Sequence, residues 1–165
     1  MGVIDDSARA TCDFQGRVFE ASAERLGHCG SAVFVRRFMR SAVARRIDLS
    51  GAVWDGADPQ NVVMEVDAEY NGRPYGKEVY PQEVLYWMGY VYRCGTYVTN
   101  YSSSALYAVV GAREMRELYY AYHTLDPAQC VERILESRHI KLEEDTLQRG
   151  VEALRRIRSN WPKGA

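Results

Sequence analysis

The chain has 165 residues, 47% of them hydrophobic, 12% aromatic and 26% charged, which suits one folded domain with a sizeable interior and excludes a disordered, low-complexity polymer. Its 21 basic and 22 acidic residues nearly cancel, so no global charge draws it to nucleic acid or to an anionic membrane surface. The longest apolar runs, such as Val84 to Val91, are far shorter than the roughly 20 residues a membrane-spanning helix needs.

The opening residues Asp5, Asp6 and Ser7 are polar where a signal peptide would carry basic and then apolar residues, so a cytoplasmic protein is expected. Residues 1–12 lack periodicity and are expected to form a flexible tail. From Asp13 to Leu26, Phe14, Val18 and Ala21, with Phe19, Ala23 and Leu26, recur at helical intervals before Gly27. Ser31 is placed to cap a second helix reaching about Ile47, with Phe34, Phe38, Met39, Ala42 and Val43 on one side. Asp58-Pro59 is a cap followed by a proline at the first helical position, predicting a third helix through Tyr70, although Val62, Val63 and Val66 also suit a strand.

Asn71 to Lys77 reads as loop from its glycines and proline. Pro81 to Thr99 (PQEVLYWMGYVYRCGTYVT) is apolar on nearly every side and is predicted as a central helix enclosed by others. Leu85, Met88 and Tyr92 share one of its stripes, and Tyr86, Tyr90, Arg93 and Tyr97 another. Helices are further expected over Ser102–Val110 and Ala112–Ala121, and after Asp126-Pro127, where Gln129 completes a capping-box pattern. A last helix would place Glu143, Glu144 and Asp145 at its start and Arg155, Arg156 and Arg158 at its end, complementing the helix dipole. The expected fold is therefore all-α, a single multi-helix domain of six to seven helices over residues 13–159 around an aromatic-rich helix, with residues 160–165 as a tail.

Chemical motifs are sparse. Cys12, Cys29, Cys94 and Cys130 form no CxxC pair and only His28, His123 and His139 accompany them, so no metal site and no cofactor are expected; the thiols read as reduced and mostly buried. No GxSxG elbow or GxxxxGK[ST] loop occurs, and no catalytic residue is assigned. The Tyr86/Tyr90/Arg93/Tyr97 stripe suits a pocket for a planar or anionic ligand, but the stronger reading is a packed core whose hydroxyls find partners. His123 and Asp126 flank a helix entrance, where Asp126 serves as a cap and His123 as an acid, a base or a packing residue. Arg116 and His123 match the RxxxxxxH spacing of helical ribonuclease-like toxin domains, a pattern that arises cheaply in an arginine-rich chain. Arg36, Arg37 and Arg40 share an arc of one helix, but Arg45 and Arg46 point elsewhere, which disfavours direct nucleic-acid binding.

Three segments together carry a resemblance: Val35-Arg36-Arg37-Phe38-Met39; Tyr75-Gly76-Lys77 leading to Val84-Leu85-Tyr86-Trp87-Met88-Gly89-Tyr90-Val91-Tyr92-Arg93; and Tyr122-His123-Thr124-Leu125-Asp126-Pro127 with Glu132-Arg133-Ile134-Leu135-Glu136. Over about Val33 to Ser137 the chain resembles an uncharacterised family of small bacterial helical proteins often encoded near toxin–antitoxin modules with ADP-ribosyltransferase-like toxins. The resemblance implies association with such modules and brings no catalytic residue. The expectation is a non-enzymatic, protein-binding, antitoxin-like or accessory component that captures another protein, a cognate toxin among the candidates, through Tyr75, Lys77, Tyr90, Arg93 and His123. The alternative is an enzyme or nucleotide-like-ligand-binding domain, a toxin-side component, built on the same Tyr/Arg/His cluster.

Overall fold

The computed structural model describes residues 4–24 and 29–142. Eight helices occur among them and no strand: α1 (Asp6–Ser22), α2 (Ser31–Met39), α3 (Ala42–Ser50), α4 (Pro59–Glu69), α5 (Gln82–Thr99), α6 (Ser103–Val109), α7 (Ala112–Tyr122) and α8 (Pro127–Ser137). The all-α expectation holds, with α5 at the centre, packed against α1 along most of its length and against α6, α7 and α8 elsewhere. The predicted helix beyond Glu143 and the 160–165 tail lie outside the described residues.

Two expectations about the first fifty residues are corrected. Residues 6–12 are not tail but the first two turns of α1, because Asp5 caps the helix through its carboxylate, which accepts from the Ala8 N–H at 2.8 Å. The face made by Ala8, Thr11, Cys12 and Gln15 follows the helical repeat in small and polar residues, and all four are buried. A reading that weighs large apolar residues passes over such a face.

The single helix expected from Ser31 to Ile47 is two. Ser41 stands outside helical geometry (φ −77°, ψ 162°), its Oγ donating to the Phe38 carbonyl at 2.7 Å and accepting from the Ala44 N–H at 3.1 Å. One buried hydroxyl thereby closes α2 and opens α3. Asp58 and Asp126 cap α4 and α8 as their Asp-Pro signatures predict. The strand alternative for Val62, Val63 and Val66 is not adopted; their spacing places all three on the buried side of α4.

The core joins α1 to α2 and α5 through aromatic and aliphatic side chains. Phe19 meets Phe38 edge-on at 5.1 Å and Phe34 at 5.9 Å, while Leu85, Met88 and Met115 are fully covered. Close approach of α1 to α5 depends on Gly89: a Cβ there would sit 2.6 Å from the Gln15 carbonyl oxygen and 2.9 Å from the Phe19 ring. Neither neighbour is a free end. Alanine would gain about 1 kcal/mol in helix propensity but would force the two backbones apart, an overpacking cost of about 1–3 kcal/mol or more. Gly89→Ala is therefore expected to lower the urea midpoint, whereas the same change at the open, exposed Gly56 cannot act by this clash. A rise in the Gly89→Ala midpoint would show that the helices do not pack this closely.

Candidate functional site

Of the five residues singled out by the sequence, Arg93 is placed most differently from expectation. It is 1% exposed and cannot present itself to a partner. Its Nε donates to Gln15 Oε1 at 2.7 Å, Nη1 to Asp48 Oδ1 at 2.7 Å, and Nη2 to Ser103 Oγ at 3.0 Å. Asp48 also accepts from the Ser103 N–H and hydroxyl at 2.9 and 2.7 Å, and Gln15 Nε2 donates to the Gly89 carbonyl at 3.0 Å. Each buried polar atom of this cluster meets a complementary one, as a structural network requires. Arg93 thus leaves the candidate binding surface and becomes the tie between α1, α3, α5 and α6.

Tyr90 is half-buried on the α1 side of α5, its ring 6.1 Å from that of Tyr86. Burial raises its phenol pKa, helped by the Cys12 and Cys94 thiols and opposed by Arg9. Tyr86 donates to Asp13 at 2.5 Å, Tyr92 to the Val110 carbonyl at 2.6 Å and Tyr97 to the Gly51 carbonyl at 2.7 Å. Tyr86 and Tyr97 of the stripe are therefore packing residues whose hydroxyls are bonded to other elements. An apolar pocket does open between α5, α6, α7 and α8, lined by Val91, Gly95, Leu106, Met115, Val131 and Ile134 among others. It contains none of the five candidates, and the Tyr92 hydroxyl at its wall is already committed.

The remaining three lie at the surface. Tyr75 (66% exposed) and Lys77 belong to the strap of chain before α5, which is held to the start of α2 by Gly30 N–H donating to the Tyr75 carbonyl at 2.9 Å and Ser31 N–H to the Glu78 carbonyl at 2.8 Å. His123 ends α7. Its ring stacks on Tyr119 (4.6 Å, 21°), with Nδ1 2.8 Å from the Tyr119 carbonyl oxygen, so Nδ1 carries the proton and Nε2 is the ring's remaining polar atom. Among the described residues, Arg93 is buried against Gln15, Asp48 and Ser103 while His123 is exposed at the end of α7, so the two are not brought together there.

Sequence reasoning missed the ring system that extends His123. Trp87, Tyr119, Tyr120 and His123 form a continuous series, Tyr119 standing edge-on to Trp87 and to Tyr120 at 5.6 Å each. Tyr120 is 79% exposed. The signal was available in the spacing: Arg113, Arg116, Tyr120 and His123 recur at offsets of three, four and three, which is one stripe of α7. Arg116 and His123 therefore share a face two turns apart, but Arg116 is held by Glu78 and lies over the Tyr80 ring at 4.6 Å.

The basic residues of α2 and α3 separate in the same way. Arg37 stacks on Tyr70, Arg40 on Tyr107, and Arg46 on Trp54 beside Glu65, so they form no common stripe. No group of three or more His, Cys, Asp or Glu residues able to share a metal ion occurs among the described residues, and none of their helices is long and apolar enough to cross a membrane. No protein-family model, curated protein or solved structure matches the chain.

Arg93→Ala removes one member of a satisfied buried network and strands Asp48, Gln15 and Ser103. A loss of about 3–5 kcal/mol is expected in urea denaturation, and a loss under 1 kcal/mol would show that the network is not structural. A second outcome concerns pH. Burial raises the Cys12 thiol to about 12 and the Cys130 thiol to about 11 from 9.0, and the Tyr97 phenol to about 12 from 10.0. Such groups favour the folded state fully below the unfolded values of 9.0 and 10.0, and that advantage is lost as pH climbs toward the folded values. The melting temperature should fall from about pH 9 upward, with tyrosinate absorbance appearing in step with unfolding.

Proposed function

We propose that this protein is a non-enzymatic binding component, antitoxin-like or accessory, of a bacterial toxin–antitoxin module, acting in the cytoplasm by occluding a partner protein. The observation that carries the reading is the exposed Tyr120, the outer end of the Trp87/Tyr119/Tyr120/His123 ring series. A large ring that is solvent-exposed yet braced from behind by other rings loses little conformational entropy on contact. Such tyrosines are common anchors at protein interfaces.

The surface has two edges fixed to one another. The ion pair between Arg116 and Glu78 joins α7 to the strap, with Tyr120 one turn beyond Arg116 and Tyr75 and Lys77 just before Glu78. Tyr75 and Tyr120 flank that pair as two aromatic contacts, and Lys77 adds a cation. A partner suited to it offers apolar recesses for two phenols and a carboxylate for Lys77. The resemblance of Val33 to Ser137 to proteins encoded beside toxin–antitoxin genes supplies the biological context.

The test is co-expression with each protein encoded beside this gene, followed by size-exclusion chromatography and calorimetric titration. A stoichiometric complex is expected, weakened by about 2 kcal/mol, or some thirtyfold, in Tyr120→Ala. Arg17→Ala, on the exposed side of α1 beside Asp13, should leave it unchanged. Absence of any complex, or equal affinity in Tyr75→Ala, Tyr120→Ala and the parent, would overturn the reading.

A further inference from the structure

Helix α8 ends in a reversal beside an apolar pocket. His139 adopts φ 56°, and the Ile140 N–H donates back to the Leu135 carbonyl at 3.0 Å. Arg138, the C-cap of α8, pairs with Glu114 of α7, while Ile140 and Leu142 are half-buried against the core. Met115, the residue after Glu114, and Leu135, three residues before Arg138, both line the pocket between α5, α6, α7 and α8. The ion pair therefore holds the point from which residues 143–165 continue next to the rim of that pocket.

The pocket exists because α5 has no side chain at Gly95, where a Cβ would sit 2.9 Å from Leu106 Cδ1 and 3.7 Å from Val131 Cγ2. The hydroxyl of Tyr92 at its wall is donated to the Val110 carbonyl, so no side-chain polar group is left to orient a free ligand. Its free volume is about 20 Å³, room for a single methyl-sized tip and too little for a small molecule. What fits is the end of an aliphatic side chain carried on a neighbouring surface.

The sequence after Leu142 offers such a surface. Leu147, Val151, Leu154 and Ile157 recur at offsets of four, three and three, one stripe of a helix, with Gly150 inside it. A helix of about fifteen residues that contains a glycine is marginal alone in water, so its stripe needs something to lie on. A helix resumed after the reversal at His139 runs antiparallel to α8, and residues whose numbers sum to roughly 280 then stand level, because both helices rise equally per residue. That register sets Leu147 beside Ile134 of the pocket wall. It also brings Glu143 to Asp145 toward the Arg138 end of α8 and Arg155 and Arg156 toward Asp126 at its start, opposite charges at both ends.

We propose that residues 143–158 fold back along α8 as a helix that covers this pocket, the tip of Leu147 filling it. Only residues 143–146 separate Leu142 from Leu147, so the tether presents the segment at an effective concentration of roughly millimolar and favours it over the same stripe on a second copy. The inference does not rest on partner capture, whose anchors are Tyr75 and Tyr120.

The experiment is methyl NMR on the full chain, labelled at isoleucine, leucine and valine, with amide exchange followed on the same protein. Nuclear Overhauser contacts between the Leu147 and Ile134 methyls are expected, with exchange at Val151 and Leu154 slowed at least about tenfold relative to an unstructured peptide. Leu147→Asp should abolish both effects while the helical circular dichroism of α1 to α8 persists, and Arg149→Ala, on the opposite side of the stripe, should leave both unchanged. Should the aspartate variant fail to fold, the contacts and exchange rates of the parent protein decide the matter. Unprotected exchange throughout 143–158, contacts from the stripe to another face of the domain, or contacts that arise only between differently labelled copies in a mixed sample would each overturn the proposal.

Discussion

A guanidinium that is 1% exposed organises this fold. Taking Arg93 out of water costs several kcal/mol even after relaxation, and the attraction of Asp48 repays this only if the geometry is good and the remaining donors are met. They are met by groups from four helices, so the charge is tolerated only when α1, α3, α5 and α6 are all in position. Hydrophobic contacts between α1 and α5 would survive a small slide of one helix along the other. The bonds from Gln15 to Arg93 and to the Gly89 carbonyl would not, and they fix the register that Gly89 permits.

The same constraint explains what the sequence could and could not reveal. The apolar surround of α5, and the Asp-Pro starts of α4 and α8, are local signals, and each is realised in the structure. The break at Ser41 is local too, but serine occurs inside helices and at caps alike, and only burial of its hydroxyl against Phe38 and Ala44 decides between them. Arg93 was legible as an unusual residue in an apolar helix. Its role was not legible, because Gln15, Asp48 and Ser103 lie 78, 45 and 10 residues away and nothing in their own neighbourhoods marks them as partners.

A surface of different character forms on the other side of α5. The strap before it returns to the start of α2 by backbone hydrogen bonds, so its side chains remain available while its course is fixed. Helix α7 then lies against the strap through Arg116 and Glu78, and against Trp87 through Tyr119. The α7 stripe is thereby graded along its length. Its first turns carry Arg113 and Arg116, the latter over the Tyr80 ring, and its last turns carry the exposed Tyr120 and His123.

The hydroxyl groups of three tyrosines tie α5 to its neighbours. Tyr86, Tyr92 and Tyr97 each donate to a carboxylate or a carbonyl on another element, which is what a phenol held in place for packing does. Tyr75 and Tyr120, both exposed, make no such bond among the described residues. Water can satisfy Tyr75 and Tyr120, whose exposure therefore costs little and leaves them free to enter an interface. The Tyr80 ring has no such freedom: it is covered by Arg116, which Glu78 of the strap holds in place, so it belongs to the joint between the strap and α7.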